Sequence, residues 1–134
     1  MAFQAADLRD LDPPAADLVL LVDVLHFLPH ASQDALLRRL GRALPPGARM
    51  LIREVDASSG AAYRKAALRE IASLLLPGRP HHVVHYRRVE DLRNALAAAG
   101  FEARDRSTRT TAARGRVLLE AVRRPTLAPR GDAS

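Results

Sequence analysis

The sequence predicts one α/β domain, built on a mostly parallel sheet with an antiparallel pair at its C-terminal end and helices on both faces. Three observations predict this class. An unbroken Leu/Val run follows Asp17, a helix and a second apolar strand come within about forty residues, and two more strand candidates close the chain. Strand, helix and strand at this spacing are typical of a right-handed crossover between parallel strands.

The central strand lies in Asp17-Leu-Val-Leu-Leu-Val-Asp-Val-Leu-His-Phe-Leu28. Its first half is too short for an ordinary helix and rich in branched apolar residues, which predicts a strand buried on both faces. Asp23 and His26 follow it directly. Open α/β sheets place their ligands at the carboxyl ends of their strands, so we expect the chemistry here.

The next segment predicts a helix and a second strand. Ser32 is a plausible N-cap, and Pro45-Pro-Gly47 ends the helix. Arg49-Met-Leu-Ile-Arg-Glu54 then predicts a parallel neighbour of the first strand, which brings Glu54 and Asp56 to the same sheet edge as Asp23. The helix carries one apolar stripe, formed by Leu36, Leu37, Leu40 and Leu44.

The remaining elements follow from periodicity and turn residues. Helices are predicted over residues 61–76, with Leu68, Ile71, Ala72 and Leu75 at helical spacing, and over residues 89–99, ended by Gly100. Strands are predicted over residues 101–107 and 117–123, joined by an open polar loop over residues 108–116. Ala2 to Ala6 are expected to form a short strand, and residues 125–134 a disordered tail.

Composition sets limits on function. The chain has 134 residues, which is enough for one domain, and no apolar run approaches the length of a membrane span. We therefore expect a cytoplasmic protein. The absence of Cys excludes disulfides and thiolate chemistry. The net charge of +6 comes from twenty Arg and one Lys spread along the chain, which is more typical of a coding bias than of a nucleic-acid-binding patch.

The segments Asp17-Leu-Val-Leu-Leu-Val-Asp-Val-Leu-His-Phe-Leu-Pro29, Leu44-Pro-Pro-Gly-Ala-Arg-Met-Leu-Ile-Arg-Glu54 and Val89-Glu-Asp-Leu-Arg-Asn-Ala-Leu-Ala-Ala-Ala-Gly-Phe101 resemble class I S-adenosylmethionine-dependent methyltransferases. The resemblance extends to about Arg124 and covers the C-terminal portion of that fold. It implies a partial Rossmann-like sheet over residues 1–124, starting from about the family's third strand. It also implies S-adenosyl-L-methionine as the cofactor.

The sequence departs from the family at its start. The Gly-rich GxGxG turn after the first strand and the acidic residue after the second are both missing. The family's strand order is 3-2-1-4-5-7-6, so without strands 1 and 2 the run from Leu18 to Val22 becomes an edge strand that invites pairing with another chain. A mispredicted start, a partner chain that supplies the missing half and a non-catalytic remnant are the explanations, and we favour the first.

The resemblance also implies roles for individual residues. Asp7 matches the acid that contacts the adenine amino group, with the Leu8 backbone beside it, and Asp23 lies where a carboxylate accepts from the cofactor's ammonium group. His26 is similar in position to the general-base histidine of small-molecule O-methyltransferases, and an imidazole suits proton transfer near neutral pH. Tyr63 and Tyr86 fall in the substrate-lid region and are candidates for the acceptor pocket.

Each assignment has a structural alternative. Asp23 is equally consistent with a turn cap, and His26 with ordering its loop. A tyrosine is as often a packing residue. His81, His82 and His85 suggest a metal site, but no carboxylate cluster accompanies them, so an exposed or substrate-facing loop is favoured. Arg residues near the C-terminal strands indicate a solvated face, or else recognition of an acidic substrate.

We therefore predict methyl transfer to a small-molecule acceptor, carried out by a chain that needs the missing N-terminal half. The first alternative is a non-catalytic subunit that docks on a partner chain, or on a second copy, through the exposed strand edge. A basic RNA-associated module is the second alternative. No membrane partner is expected.

Overall fold

A computed structural model describes residues 5–75 and 84–125. The described elements are, in chain order, β1 (Leu18–Val22), a 3₁₀ turn (Leu25–Phe27), α1 (His30–Ala43), β2 (Arg49–Val55), α2 (Ala61–Leu74), α3 (Val89–Ala98), β3 (Phe101–Asp105), α4 (Arg109–Ala113) and β4 (Arg116–Arg123).

The four strands form one sheet in the order β1-β2-β4-β3. β1 and β2 are parallel, with Leu20 opposite Leu51, whereas β4 runs antiparallel to both of its neighbours. The predicted fold class is therefore confirmed: a mixed sheet with a parallel crossover, a C-terminal antiparallel pair and accompanying helices. The order also reproduces the 4-5-7-6 portion of the family's strand order.

The prediction that the first strand is buried on both faces is wrong. β1 lies at the sheet edge, and its side chains alternate between the core and solvent. Leu21 is 6% exposed, but Leu18 and Leu20 are 55% and 59% exposed. All five residues of β1 are Leu or Val, so the sequence has no apolar and polar alternation to show that only one face of the strand is covered. The unbroken apolar run was therefore misread as a strand buried on both faces.

The core lies between the sheet and the helices α1 and α3. The predicted apolar stripe of α1 is confirmed, since all four of its leucines are buried. The other core side chains come from the two inner strands, from α3 and from the first residue of β3: Met50, Ile52, Leu119, Ala121, Leu92, Leu96 and Phe101. This packing fixes the ends of β1 and β2 relative to the start of α1.

The start of α1 differs from the prediction. The N-cap is Pro29, with His30 as the first helical residue, and Ser32 lies inside the first turn without a capping role. The Pro29 carbonyl accepts from the Gln33 amide at 2.9 Å. Proline fits this boundary because its fixed φ suits the extended residue that precedes a helix.

The later elements follow the prediction with one exception. α3 ends before Gly100, which has the positive φ expected of a C-terminal glycine. The segment predicted as an open loop contains α4, because Thr108 and Thr111 form a reciprocal capping box. α2 is helical as expected, but Leu68 and Ile71 on its predicted stripe are 65% and 54% exposed.

Some predictions fall outside the described residues. Of the predicted N-terminal strand only Ala5 and Ala6 are described, and they are not in a strand. His81, His82 and residues 126–134 are not described. Within the part that is described, no group of metal-binding side chains occurs and no helix has the length and apolarity needed to cross a bilayer.

Candidate active site

The carboxyl ends of β1 and β2 bring a histidine and a buried glutamate together. His26 lies in the 3₁₀ turn after β1, and its Nδ1 is 2.8 Å from Oε2 of Glu54 near the end of β2. The other glutamate oxygen, Oε1, accepts from the Leu25 amide at 2.8 Å. Glu54 is 6% exposed, so both of its oxygens are satisfied inside the protein.

This pairing determines which ring nitrogen of His26 is available. A carboxylate only accepts hydrogen bonds, so Nδ1 carries the proton and donates to Glu54. The lone pair of the neutral ring then lies on Nε2. Among the described residues no hydrogen bond to Nε2 is found. The arrangement is that of an oriented imidazole base whose orienting group is a carboxylate.

Two aromatic rings contact the imidazole. The rings of Phe27 and Tyr86 have centroids 4.3 Å and 5.4 Å from that of His26. Tyr86 comes from residues 84–88, which we call the strap and which connect to α3. The strap is joined to the His26 turn by a 2.7 Å hydrogen bond from the His85 amide to the His26 carbonyl.

A small hollow lies beside this pair, lined by His26, Glu54, Gln33 and Tyr86, among others. It has room for about one water molecule. The described residues therefore orient the His26 imidazole but do not enclose a chamber large enough for an acceptor molecule.

Asp23 also lies at the carboxyl ends of the strands, but its carboxylate has different partners from that of Glu54. Its carboxylate accepts from Arg53 at 2.7 Å through one oxygen and from Arg116 at 2.6 Å through the other. Burial alone would raise the pKa of Asp23, but the hydrogen bonds from Arg53 and Arg116 outweigh it, so the pKa lies below its usual range. Its φ of 54° is the one positive value at a non-glycine residue in the described chain.

Asp7 and Leu8 lie apart from this edge, in a turn packed against α1. The Asp7 carbonyl accepts from the Asp10 amide, and Arg39 of α1 donates to the Leu8 carbonyl at 2.8 Å. The Asp7 side chain is exposed. Hydrogen bonds from the Arg9 side chain and amide lower the pKa of Asp7 to about 2. In the part of the chain that is described, no hydrogen bond or ion pair joins this turn to Asp23 or His26.

The structure thus brings His26 and Tyr86 together and leaves Asp23, Asp7 and Leu8 at separate positions. Tyr63 belongs to α2, but its side chain lies outside the described part. Sequence reasoning placed Glu54 at the sheet edge without giving it a role. The signal was present: Met50 and Ile52 are core residues, so the period of two predicts that Glu54 faces inward and needs a partner.

The fold resembles known methyltransferases. TnmH is 27% identical with a TM-score of 0.66, and the chain covers 34% of TnmH with 90% of its own length. Human N-acetylserotonin methyltransferase in complex with S-adenosylmethionine is 24% identical with a TM-score of 0.64, for 91% of this chain and 33% of that one. At 24% identity the second likeness shows the fold alone.

In a third solved structure, the chain matches a larger share of the known protein. It is the magnesium protoporphyrin IX methyltransferase ChlM from Synechocystis PCC 6803 with bound S-adenosylhomocysteine, 25% identical with a TM-score of 0.59, for 90% of this chain and 50% of that one. The chain therefore spans a third to a half of the length of these proteins. No curated protein matches the sequence.

The sheet order, the crossover and the polar groups at the strand ends define a methyltransferase-type α/β protein. The family model described as a methyltransferase domain matches residues 3–105, and the chain belongs to that family. The resemblance predicted from the sequence is thereby confirmed. So is S-adenosylmethionine as the cofactor of this class, since that molecule or its demethylated product is bound in two of the solved structures.

Proposed function

We propose that this chain is the acceptor-side half of an enzyme that transfers the methyl group of S-adenosylmethionine to a small molecule, and that the atom methylated must lose a proton. The observation that carries the proposal is the hydrogen bond between His26 and the buried Glu54. An oriented base is needed only where the acceptor, such as a hydroxyl, is a poor nucleophile until deprotonated.

The chain's residues would act as follows. Glu54 holds the proton on Nδ1 of His26, so Nε2 receives the acceptor's proton as the methyl group arrives. Glu54 also stabilises the imidazolium that results, since the two groups then form a buried ion pair. Tyr86 and Phe27 flank the imidazole and limit the directions from which an acceptor approaches. S-adenosylmethionine supplies the electrophilic methyl group, and the remaining catalysis is in-line positioning.

The described residues fit only part of a cofactor site. The exposed Asp7 carboxylate lies beside the Leu8 backbone, but both of its oxygens accept from the exposed Arg9 guanidinium, which an adenine amino group would have to displace. Asp23 is less well suited to an ammonium group, because its two oxygens are held by two different guanidinium groups, those of Arg53 and Arg116, and its side chain is only 28% exposed. The Gly-rich turn that approaches the methionine portion in the family has no counterpart in this sequence.

We therefore propose that a segment with the Gly-rich turn pairs with β1 and completes the site. β1 lies at the edge of the sheet with exposed Leu18 and Leu20, and parallel addition of a strand there would satisfy its unpaired backbone groups. Such a segment either precedes this chain in one polypeptide or belongs to a partner.

Two measurements test the proposal. Calorimetric titration of the chain with S-adenosylmethionine is expected to show weak or undetectable binding, and binding should appear once the Gly-rich segment is present. The DNA immediately upstream of the Met1 codon can be read for an in-frame GxGxG motif to obtain that segment. A completed protein without affinity for the cofactor would contradict the proposal.

Turnover of the completed protein tests the base. His26→Ala should lower the methylation rate of a phenolic acceptor about 100-fold or more. The exposed residue Arg104 offers a control, and Arg104→Ala should leave the rate unchanged. Unchanged turnover in His26→Ala would remove the base role while leaving the methyltransferase assignment in place.

A non-catalytic subunit is the second candidate, favoured by the exposed apolar side chains of β1. It predicts that the chain binds a partner and that the complex shows no affinity for S-adenosylmethionine. The same calorimetric titration separates the two candidates.

A further inference from the structure

The first two turns of α1 are fastened to the strap by three consecutive contacts. The Gln33 carboxamide donates to the His85 carbonyl at 3.1 Å, and Nε2 of His30 lies 3.1 Å from the Tyr86 carbonyl. Asp34 forms an ion pair with Arg87. These side chains therefore reach successive strap residues, which fixes the position of the segment that carries the Tyr86 ring.

Gln33 differs from the other two fasteners in its burial. It is 2% exposed, whereas the Asp34 side chain is 37% exposed. Both protons of its amide nitrogen are used, one on the His85 carbonyl and the other on the Leu28 carbonyl at 3.0 Å. Burying a carboxamide is unfavourable without such bonds, so its presence in the core calls for a reason other than packing.

The two carbonyls that Gln33 joins belong to the two segments that flank the base. Leu28 follows the turn that carries His26, and His85 precedes Tyr86. The His85 amide also donates to the His26 carbonyl at 2.7 Å. Three hydrogen bonds therefore link the turn to the strap: this one and the two from the Gln33 carboxamide. The His26 and Tyr86 rings, with centroids 5.4 Å apart, are carried by the two segments that this link joins.

We propose that Gln33 is a positioning residue, whose carboxamide sets the strap at a fixed distance from the base turn and so holds the Tyr86 ring against the His26 imidazole. The catalytic meaning rests on the proposed function, but the positioning itself does not. To bridge the Leu28 and His85 carbonyls, a side chain as long as glutamine must carry two N–H donors on its terminal nitrogen. A glutamate carboxylate has none at neutral pH, and methionine has the length but no donor.

The proposal is tested by NMR on the chain without cofactor or acceptor. In Gln33→Met the nuclear Overhauser contact between the His26 and Tyr86 rings should disappear, and amide exchange at His85 should accelerate about tenfold or more through local opening. The amides of Ile52 and Leu119, in the middle of the sheet, should exchange as before. A matched control is Asn94→Met, which removes a carboxamide from an exposed helix position and should change neither readout.

Gln33→Glu provides a second variant, because a carboxylate beside two carbonyls should release the strap in the same way. A retained ring contact with unchanged His85 exchange in either folded variant would overturn the proposal. Global unfolding of both variants would overturn it as well, since Gln33 would then support the whole core. Neither readout depends on methyl transfer, so this failure is distinguishable from failure of the proposed function.

Discussion

At the scale of single residues, the site depends on how two carboxylates are partnered. Glu54 is buried and orients the imidazole of His26, whereas the Asp23 carboxylate bridges Arg53 of β2 and Arg116 of β4. Both lie at the carboxyl ends of the strands, and the sequence separates them only through the period of two in β2, which predicts that Glu54 faces inward. The difference arises because Glu54 points into the core and Asp23 adopts a left-handed backbone conformation that turns its carboxylate towards Arg53 and Arg116.

Glu54→Gln should lower turnover of the completed enzyme about 100-fold or more, although the side chain keeps its size. An amide nitrogen that donates to Nδ1 of His26 would shift the ring proton to Nε2 and leave no lone pair there for the acceptor. The effect should appear in kcat rather than in KM. Glu102→Gln, at a side chain 63% exposed on β3, serves as the control and should be neutral. Equal rates for the two variants would contradict the orienting role.

Asp23→Asn should lower the free energy of unfolding at pH 7 by about 1 kcal/mol, through weakened hydrogen bonds to Arg53 and Arg116. Asn tolerates the positive φ, so the substitution isolates the charge. The pKa of Asp23 is lowered in the folded state, so its stabilising contribution is present above the ordinary Asp value near 4 and is lost as the pH falls through the folded value.

Urea denaturation across this range measures the effect. The stability difference between the native protein and Asp23→Asn should be constant above about pH 5 and decline below about pH 4. Asp10→Asn, in an exposed turn, is the control at pH 7 and should change stability there by no more than about 0.5 kcal/mol. A difference that persists unchanged at low pH would mean that backbone conformation, rather than charge, explains the variant.

At the scale of elements, periodicity predicted what packs and missed what depends on local geometry. The α1 stripe, the α3 end at Gly100 and all four described strands were predictable because apolar spacing and turn residues encode them directly. The α1 start was not, because Pro29 and Ser32 are both acceptable helix boundaries and only the chain path from the 3₁₀ turn selects the first. α4 was missed since its capping box of two threonines lies in a polar segment with no apolar period.

The contact between α1 and α3 gives a prediction whose sign is informative. A Cβ at Gly41 would lie 2.1 Å from the Ala99 carbonyl oxygen at the end of α3. In an open helix interior, glycine to alanine stabilises by about 1 kcal/mol. Here Gly41→Ala should instead lower the free energy of unfolding by roughly 1–3 kcal/mol, because the backbone of α1 would have to move away from the end of α3.

Thermal or urea unfolding checks this sign. Ser32→Ala is the control on the same helix, and because Ser32 does not cap α1 it should change stability by no more than about 0.5 kcal/mol. A stabilised Gly41→Ala would show that α1 and α3 are not in close contact.

At the scale of the whole molecule, the two edge strands of the sheet differ in how well they are protected against pairing with another strand. β3 ends the sheet with a short strand that carries charged side chains, which is a common protection against edge pairing. β1 ends it with five consecutive Leu and Val residues. The strand order predicted from the resemblance made this edge foreseeable, but the exposure of one β1 face was not, because burial depends on which other elements pack there.

This edge predicts self-association of the chain in the absence of the segment that completes it. Leu20→Lys places a charge on the exposed face of β1 and should reduce association while changing the stability of the monomer by no more than about 0.5 kcal/mol.

Leu21→Lys is the matched comparison one residue away, on the core face, and should unfold the chain because a lysine ammonium would be buried among leucines. Sedimentation velocity gives the association state and urea denaturation the stability. If Leu20→Lys associates as strongly as the native chain, the contact lies elsewhere, and the exposed residues of α2, Leu68 and Ile71, become the surface to alter next.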